Sequence, residues 1–290
     1  MVASFGVRVL LPLMIGWATR GIVAAAEEQS ATAAAESLSP LGARLSNYGK
    51  FEEIGWSHLP SIGIKYVFLP VPAPGEVAAV RQRLADHGLK VVVMRGQADL
   101  STPTSVDTLA TQLQTCREMG VKYLFLSPKH PGVSKEDACQ RLRRAGELAG
   151  KYGVTLVLET HPDLGTNGDE HLETMKRINH PNVRVNFDTG NISYYNSDRS
   201  APAELLKTID YVATVEVKDH SGQLQQWNFP ALGQGVVDIP GVLRILKEHG
   251  FTGPITMEIE GIQGVQLSEE QVKKNIADSA VYVRSLGRFK

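Results

Sequence analysis

Short apolar runs alternate with longer amphipathic ones along most of the chain. β-Branched and aromatic residues concentrate in Leu41–Asn47, Lys65–Pro70, Lys90–Arg95, Lys122–Ser127, Thr155–His161, Arg184–Asp188, Val212–Asp219 and Ile255–Glu260. Each run reads as a strand. Between them, apolar residues recur at three- and four-residue spacing, as in Glu76–His87, Ser105–Met119, Lys135–Tyr152, Pro240–His249 and Ser268–Leu286. These read as helices, and several end at a glycine, the favoured residue just past a helix end. Strand–helix alternation implies parallel strands joined by crossover helices. Eight such units predict a single (β/α)8 TIM barrel. A doubly wound open sheet would also alternate in this way, but the Gly-rich turn it carries after its first strand is missing from Ser46-Asn47-Tyr48-Gly49-Lys50.

The N-terminus follows a different pattern. Arg8 precedes a largely apolar stretch, Val9 to Ala26, that ends in Ala24-Ala25-Ala26. A basic start, an apolar stretch and small residues at the end are the parts of a secretory signal, so residues 1–26 are expected to be a signal peptide and the protein to be exported. Arg20 interrupts the run, which opposes a stable membrane span. Residues 27–40 are Ala/Ser-rich and read as a linker. The barrel is expected over 41–290, with no second domain.

Composition narrows the partners. Of 290 residues, 42% are hydrophobic and 21% charged, which excludes a disordered chain. Lys+Arg (30) and Asp+Glu (31) nearly cancel, so no nucleic-acid partner is expected. The two cysteines, Cys116 and Cys139, cannot build a disulfide scaffold and read as buried thiols.

Candidate chemistry lies in the last four strands. Alternate residues of a strand share a face. The sets Thr155/Val157/Glu159, Arg184/Asn186/Asp188, Thr214/Glu216/Lys218 and Thr256/Glu258/Glu260 each share one, and the opposite faces are apolar enough to lie under helices. The polar sets should therefore face the barrel axis. Their C-terminal members then reach the end of the barrel where active sites are built. Glu159, Asp188, Glu216 and Glu258 are expected to converge there. Ionised carboxylates raise one another's pKa in a low-dielectric cavity. A divalent cation relieves this, and all-oxygen ligation suits Mg²⁺, Mn²⁺ or Ca²⁺ better than Zn²⁺. Pairing of each acid with a cation such as Arg184, Lys218 or Arg95 would relieve it too.

The blocks Leu156-Val-Leu-Glu-Thr-His161, Asn186-Phe-Asp-Thr-Gly-Asn191, Val215-Glu-Val-Lys-Asp219, Leu232-Gly-Gln-Gly235 and Met257-Glu-Ile-Glu-Gly261 resemble those of the xylose isomerase-like TIM-barrel superfamily, the sugar phosphate isomerase/epimerase group. The resemblance covers about residues 41 to 290. It implies one divalent metal held by a Glu, an Asp, a His and a Glu, with Glu159, Asp188 and Glu258 in the first, second and last places. Glu216 stands where that family carries its His, which makes the site more oxygen-rich and favours Mn²⁺ or Mg²⁺. The family's epimerases place a His three residues after the Asp; here Asn191 stands there, a group that binds a hydroxyl but does not transfer protons.

Further residues near these strand ends complete the expected site. His161, Asn191, Lys218 and Arg95 are candidates for binding substrate. Lys218 could instead neutralise the acids, and His220 could ligate a metal if Glu216 points elsewhere. Asp219 could orient its neighbours. Gly233 and Gly235 read as a tight loop over the mouth, and Tyr194, Tyr195 and Trp227 as aromatic surfaces for a sugar ring. The remaining histidines, His171 among them, read as solvated or structural. The function expected is a metal-dependent sugar isomerase or epimerase in which Glu159 or Glu258 removes a proton beside a carbonyl, giving an enediolate. A dehydratase or lyase acting on a keto-sugar or inosose shares the first half of that mechanism. The same barrel could also serve a non-catalytic carbohydrate-binding protein or a DNA-repair endonuclease, and the balanced charge opposes the endonuclease. The expected partner is a small sugar or polyol; a homo-oligomer is compatible with the sequence.

Overall fold

A computed structural model describes residues 1–3 and 38–290; nearly all of the expected signal peptide and linker lie outside the described residues. Eight parallel strands follow one another around a closed barrel: β1 (Leu41–Arg44), β2 (Tyr66–Pro70), β3 (Lys90–Arg95), β4 (Tyr123–Leu126), β5 (Thr155–Glu159), β6 (Val183–Asp188), β7 (Val212–Val217) and β8 (Ile255–Met257). β8 closes onto β1, with Leu41 opposite Ile255 and Ala43 opposite Met257. The fold is the single (β/α)8 barrel that strand–helix alternation predicted.

The helices among the described residues are α1 (Glu52–Ser61), α2 (Val77–Asp86), α3 (Leu109–Glu118), α4 (Lys135–Tyr152), α5 (Gly168–Ile178), α6 (Thr189–Tyr195), α7 (Ala201–Thr208), α8 (Ile239–Glu248) and α9 (Glu269–Ser285). The cap of α4 illustrates the local chemistry. Ser134 accepts from Asp137 N at one end, satisfying an orphan amide, and Gly153 takes the left-handed conformation at the other. None of the described helices is long and apolar enough to cross a membrane.

Apolar faces of strands and helices pack together outside the barrel, from Leu41 and Leu59 round to Val283. Inside, Phe68, Val93, Phe125 and Val157 form a separate buried cluster. The barrel is thus filled below its mouth, and the carboxylates gather in the rows above that cluster. Strand pairing sets those rows. The register skips Ala213, so that Asn186 lies opposite Thr214 and Asp188 opposite Glu216. Glu159 lies opposite Asn186, one pleat earlier.

Several strands stop sooner than expected, because residues at the mouth bond to loops rather than to the ladder. β1 ends at Arg44 and turns into a 3-10 segment, Leu45–Phe51. After β7, Asp219 leaves the sheet and gathers four backbone amides: Oδ1 accepts from His220 N (2.9 Å) and Val237 N (3.1 Å), and Oδ2 from Gly233 N (2.9 Å) and Gly235 N (2.8 Å). The Gly-Gln-Gly loop is therefore wrapped around one carboxylate. A Cβ on Gly235 would stand 2.2 Å from Asp219 Oδ1, which accounts for the glycine. Nearby, Asn228–Phe229 and Gly261–Ile262 pair as a short antiparallel ribbon beside the mouth. Replacing Asp219 with Ala leaves these amides without their acceptor and should lower stability by at least about 2 kcal/mol, measured by urea unfolding. An unchanged midpoint would show that the loop is held by other means.

Candidate active site

At the C-terminal end of the barrel, Arg44 reaches inward from β1 and is buried. Its Nε and Nη2 donate to the two carboxylate oxygens of Glu216, and its Nη1 pairs with Glu258 Oε1. The guanidinium carbon lies 4.4 Å from the ring centroid of Phe68 and 4.9 Å from that of Phe125, so the inner aromatic cluster seats it. Burial works against its charge, but Glu216 and Glu258 outweigh that and hold the group firmly cationic. Glu216 Oε2 also accepts from Asn186 Nδ2 at 3.0 Å, and Asn186 Oδ1 accepts in turn from Thr214 Oγ1 at 2.6 Å.

The second internal cation is Lys218, buried just past β7. Its Nζ pairs with Glu260 and lies 3.2 Å from Glu258 Oε2 and 3.7 Å from Asp188 Oδ2. It donates to Asn191 Oδ1 at 3.2 Å. Gly190 makes room for its stem, since a Cβ there would stand 2.8 Å from Lys218 Cγ. Asp188 caps α6: its Oδ1 accepts from Asn191 N at 2.9 Å. Burial raises the Asp188 pKa well above the ordinary carboxylate range, Lys218 opposes the rise, and the charges of Glu258 and Glu216 add to it. Burial likewise pushes Glu216 up to about 7 in spite of Arg44. Glu258 feels the same burial, yet Arg44 and Lys218 together bring it down to about 2. These buried acids therefore differ in proton affinity according to the cations beside them.

Asp188, Glu216 and Glu258 each offer a carboxylate oxygen, all within 4.8 Å of one another. This is a candidate acidic metal site, and its donor set suits a hard divalent ion. Two oxygens in it, Asp188 Oδ2 and Glu258 Oε2, are buried without a hydrogen-bond partner. Lys218 Nζ stands 3.7 and 3.2 Å from those two oxygens, so a divalent ion held there in the manner of Mg²⁺, by one or two carboxylates, would share them with the ammonium. Two expectations need correction. Glu159 stands outside the cluster, because the β5–β6 register places it beside Asn186 rather than Asp188. Glu216 is largely occupied by Arg44 and Asn186, so the site is not a four-carboxylate cage. Pairing of the acids with cations does occur. Lys218 supplies one partner and Arg44 the other; Arg184 instead donates to the carbonyls of His180 and Val183.

A cavity of about 590 Å³ opens above the cluster, lined by Glu159, His161, Asn191, Lys218, Glu258 and Arg95 among others. Glu159 is half-buried at its wall. His161 Nδ1 meets Pro162 O at 2.7 Å and must be the donor there, so a neutral ring carries a bare Nε2. Its ring stands edge-on to Tyr195 at 5.3 Å, and Tyr194, Trp227 and Phe229 continue the aromatic wall. Arg95 is exposed at the rim. Asn191 is committed at both ends of its amide: Nδ2 donates to Thr160 O at 2.9 Å while Oδ1 takes Lys218. It positions the lysine, a role not expected from sequence. His220 is unavailable as a ligand, since Nε2 meets Gln226 O at 3.0 Å and Nδ1 accepts from Gly222 N at 3.1 Å. Below the site, His171 meets Thr160 Oγ1 at 3.0 Å, and that oxygen accepts from Asp188 N at 3.0 Å. Arg44 was not among the residues expected from sequence; the signal available was an arginine two residues beyond Gly42 on the inward face of the first strand.

Residues 53–285 match the family model described as xylose isomerase-like TIM barrel. The chain is similar to an inosose isomerase of Bacillus licheniformis, 25% identical over 195 residues that cover 62% of this chain and 69% of that protein. It is similar to an inosose dehydratase of Bacillus velezensis, 29% identical over 138 residues, covering 42% of this chain and 46% of the dehydratase, so the match spans under half of that relative. In fold it resembles a D-allulose 3-epimerase from Methylomonas sp. solved with D-allulose, at a TM-score of 0.70 and 15% identity, covering 87% of this chain and 98% of that one.

Two outcomes follow from the geometry. Arg44→Met strands two buried carboxylates and should cost about 3–5 kcal/mol in urea unfolding, whereas Arg44→Met combined with Glu216→Leu should recover much of the loss. Strictly additive costs would contradict the ion pair. Burial lowers the His171 pKa from 6.5 to about 3, so between those values the unfolded chain binds more protons than the folded one. Its contribution to stability is complete above pH 6.5 and is lost as pH falls toward 3, at up to about 1.4 kcal/mol per pH unit. His171→Asn should flatten that slope; an equal slope in the variant would place the proton uptake elsewhere.

Proposed function

The chain belongs to the xylose isomerase-like TIM barrel family, and from that premise we propose that it is a sugar isomerase or epimerase acting by proton transfer beside a carbonyl. The observation that carries this reading is the convergence of buried carboxylates and Lys218 beneath a polar cavity at the C-terminal mouth of the barrel. Its relatives include sugar-processing enzymes named as isomerases and dehydratases, which supports a small keto-sugar or inosose as substrate.

The residues divide the work by environment. Lys218 presents its ammonium toward the oxygen on which negative charge develops, a preorganised donor in a site shielded from water. Glu159, at the cavity wall and outside the ion-pair cluster, is the base that removes the α-proton. Glu258 approaches from β8, three places around the ring from β5. It stays ionised at neutral pH, as its depressed pKa requires, so it anchors substrate hydroxyls, while Glu159, protonated by the first step, returns that proton to the neighbouring carbon. His161, with Nε2 bare, accepts a substrate hydroxyl, and Arg95 and the aromatic wall frame the ring. Asp188 and Glu258, with Glu216 beside them, would hold Mn²⁺ or Mg²⁺. When bound, such an ion supplies Lewis-acid polarisation of the carbonyl. The same enediolate leads to dehydration where a β-hydroxyl leaves, and the dehydratase among the relatives favours keeping that arm in the test. Export, as the leader's composition suggests, would present a free sugar or glycoside rather than a sugar phosphate.

The test is exchange of substrate C–H for deuterium in heavy water across keto-sugars and inososes. It is run on chelator-treated protein and after adding back Mn²⁺ or Mg²⁺, with products identified by NMR. Glu159→Gln and Glu258→Gln should each slow exchange at least about a hundredfold. Unchanged exchange in either variant removes that residue from the mechanism, and no exchange with any sugar rejects the reading.

A further inference from the structure

The polar cavity is only half of the space at the mouth. A second chamber of about 740 Å³ adjoins it, between the 3-10 segment after β1, the two-stranded ribbon and α9. Arg44, Arg95, Trp227, Phe229, Glu258 and Glu260 line both, so the chambers meet at Glu258, one of the two candidate catalytic carboxylates. Their characters differ. The first is walled by Glu159, His161 and Lys218; the second chiefly by apolar side chains such as Phe51, Ile259, Ile262 and Val265, with Ser46, Lys50, Gln234 and Asn275 among them.

From this continuity we infer that the substrate is a glycoside: a sugar ring in the polar chamber bearing an apolar, ring-containing aglycone in the second. Three observations support it. Either chamber alone is in the size range that holds a drug-sized ligand, about 300–1,000 Å³, so a lone monosaccharide leaves the second chamber empty. Large apolar side chains at its rim stand open to solvent, with Trp227 and Ile262 each 41% and Val265 52% exposed, a pattern that marks binding surface. Asn47, a polar side chain within the chamber, has its amide spent on the backbone: Nδ2 donates to Met257 O and Oδ1 accepts from Ile259 N, both at 3.0 Å. Apolar side chains make up most of that wall, and an aromatic or alicyclic group can pack against them and stack on Trp227 and Phe229. A glycoside has its anomeric carbon locked, so the carbonyl acted upon lies on another carbon of the sugar ring. The inference rests on the placement of the sugar under the proposed function and names its substrate class.

The experiment is calorimetric titration of the full-length protein with phenyl β-D-glucoside, methyl β-D-glucoside, D-fructose and D-allulose. The phenyl glycoside should bind at least about tenfold more tightly than the methyl glycoside. Ile262→Asp and Val265→Asp, at exposed positions that do not threaten folding, should erase that preference and leave methyl-glycoside binding as it was. Equal binding of the two glycosides, or a preference that survives both substitutions, overturns the aglycone site while the sugar reading stands. If none of the four binds, this inference falls, and the sugar reading stands or falls with the deuterium-exchange test. Self-association that buries Ile262 and Val265, seen as loss of the dimer in the same variants, would assign the chamber to a second copy and overturn the proposal.

Discussion

The organisation of this barrel turns on one ion pair: a guanidinium buried at the centre of the mouth, bonded to Glu216 and Glu258 at once. Carboxylates from three strands come within a few ångströms of each other there, and water is largely excluded. Such a group of like charges is unstable unless cations are built in beside it. Arg44 meets this from β1, seated on Phe68 and Phe125, and Lys218 meets it from the end of β7. Their positions then decide which acid is held ionised and which has an appetite for a proton or a metal. Glu258, between both cations, lies at one extreme; Asp188, with one oxygen capping a helix and the other without a hydrogen bond, lies at the other.

The rest of the fold holds these groups still. Asp188 is fixed through its backbone by Thr160, which is fixed by buried His171. Lys218 is fixed by Asn191, which hangs from the Thr160 carbonyl. Asp219 ties the glycine loop to the end of β7, so the residue next to Lys218 in sequence clamps the rim while Lys218 serves the interior. Asn191 and Asp219 commit both ends of their side chains to such bonds, which suits a site whose geometry must not vary.

Much of this is legible in the sequence alone. Alternation of strand and helix patterns is a local property, and it leads to the barrel. Two-residue spacing places Asp188, Glu216 and Glu258 on inward faces, because face is set by parity along a strand. What parity cannot convey is register between strands. Glu159 has the right parity, yet it pairs with Asn186 and stays at the cavity wall. Arg44 escapes for a different reason: β1 carries no acid, and nothing in its four residues shows that a side chain from that side of the ring crosses to β7. Asn191 and His220 are legible as polar groups near the mouth. Their commitments depend on loop carbonyls and amides, whose positions only the folded chain defines.

The bidentate pairing of Arg44 with Glu216 ties the two positions to each other. A neutral imidazole at 216 would leave the guanidinium from β1 without its bidentate partner, and an apolar residue at 44 would leave the carboxylate stranded. Either change alone leaves a buried charge unpaired, so the two positions are epistatic: the cost of a substitution at one depends on the residue held at the other.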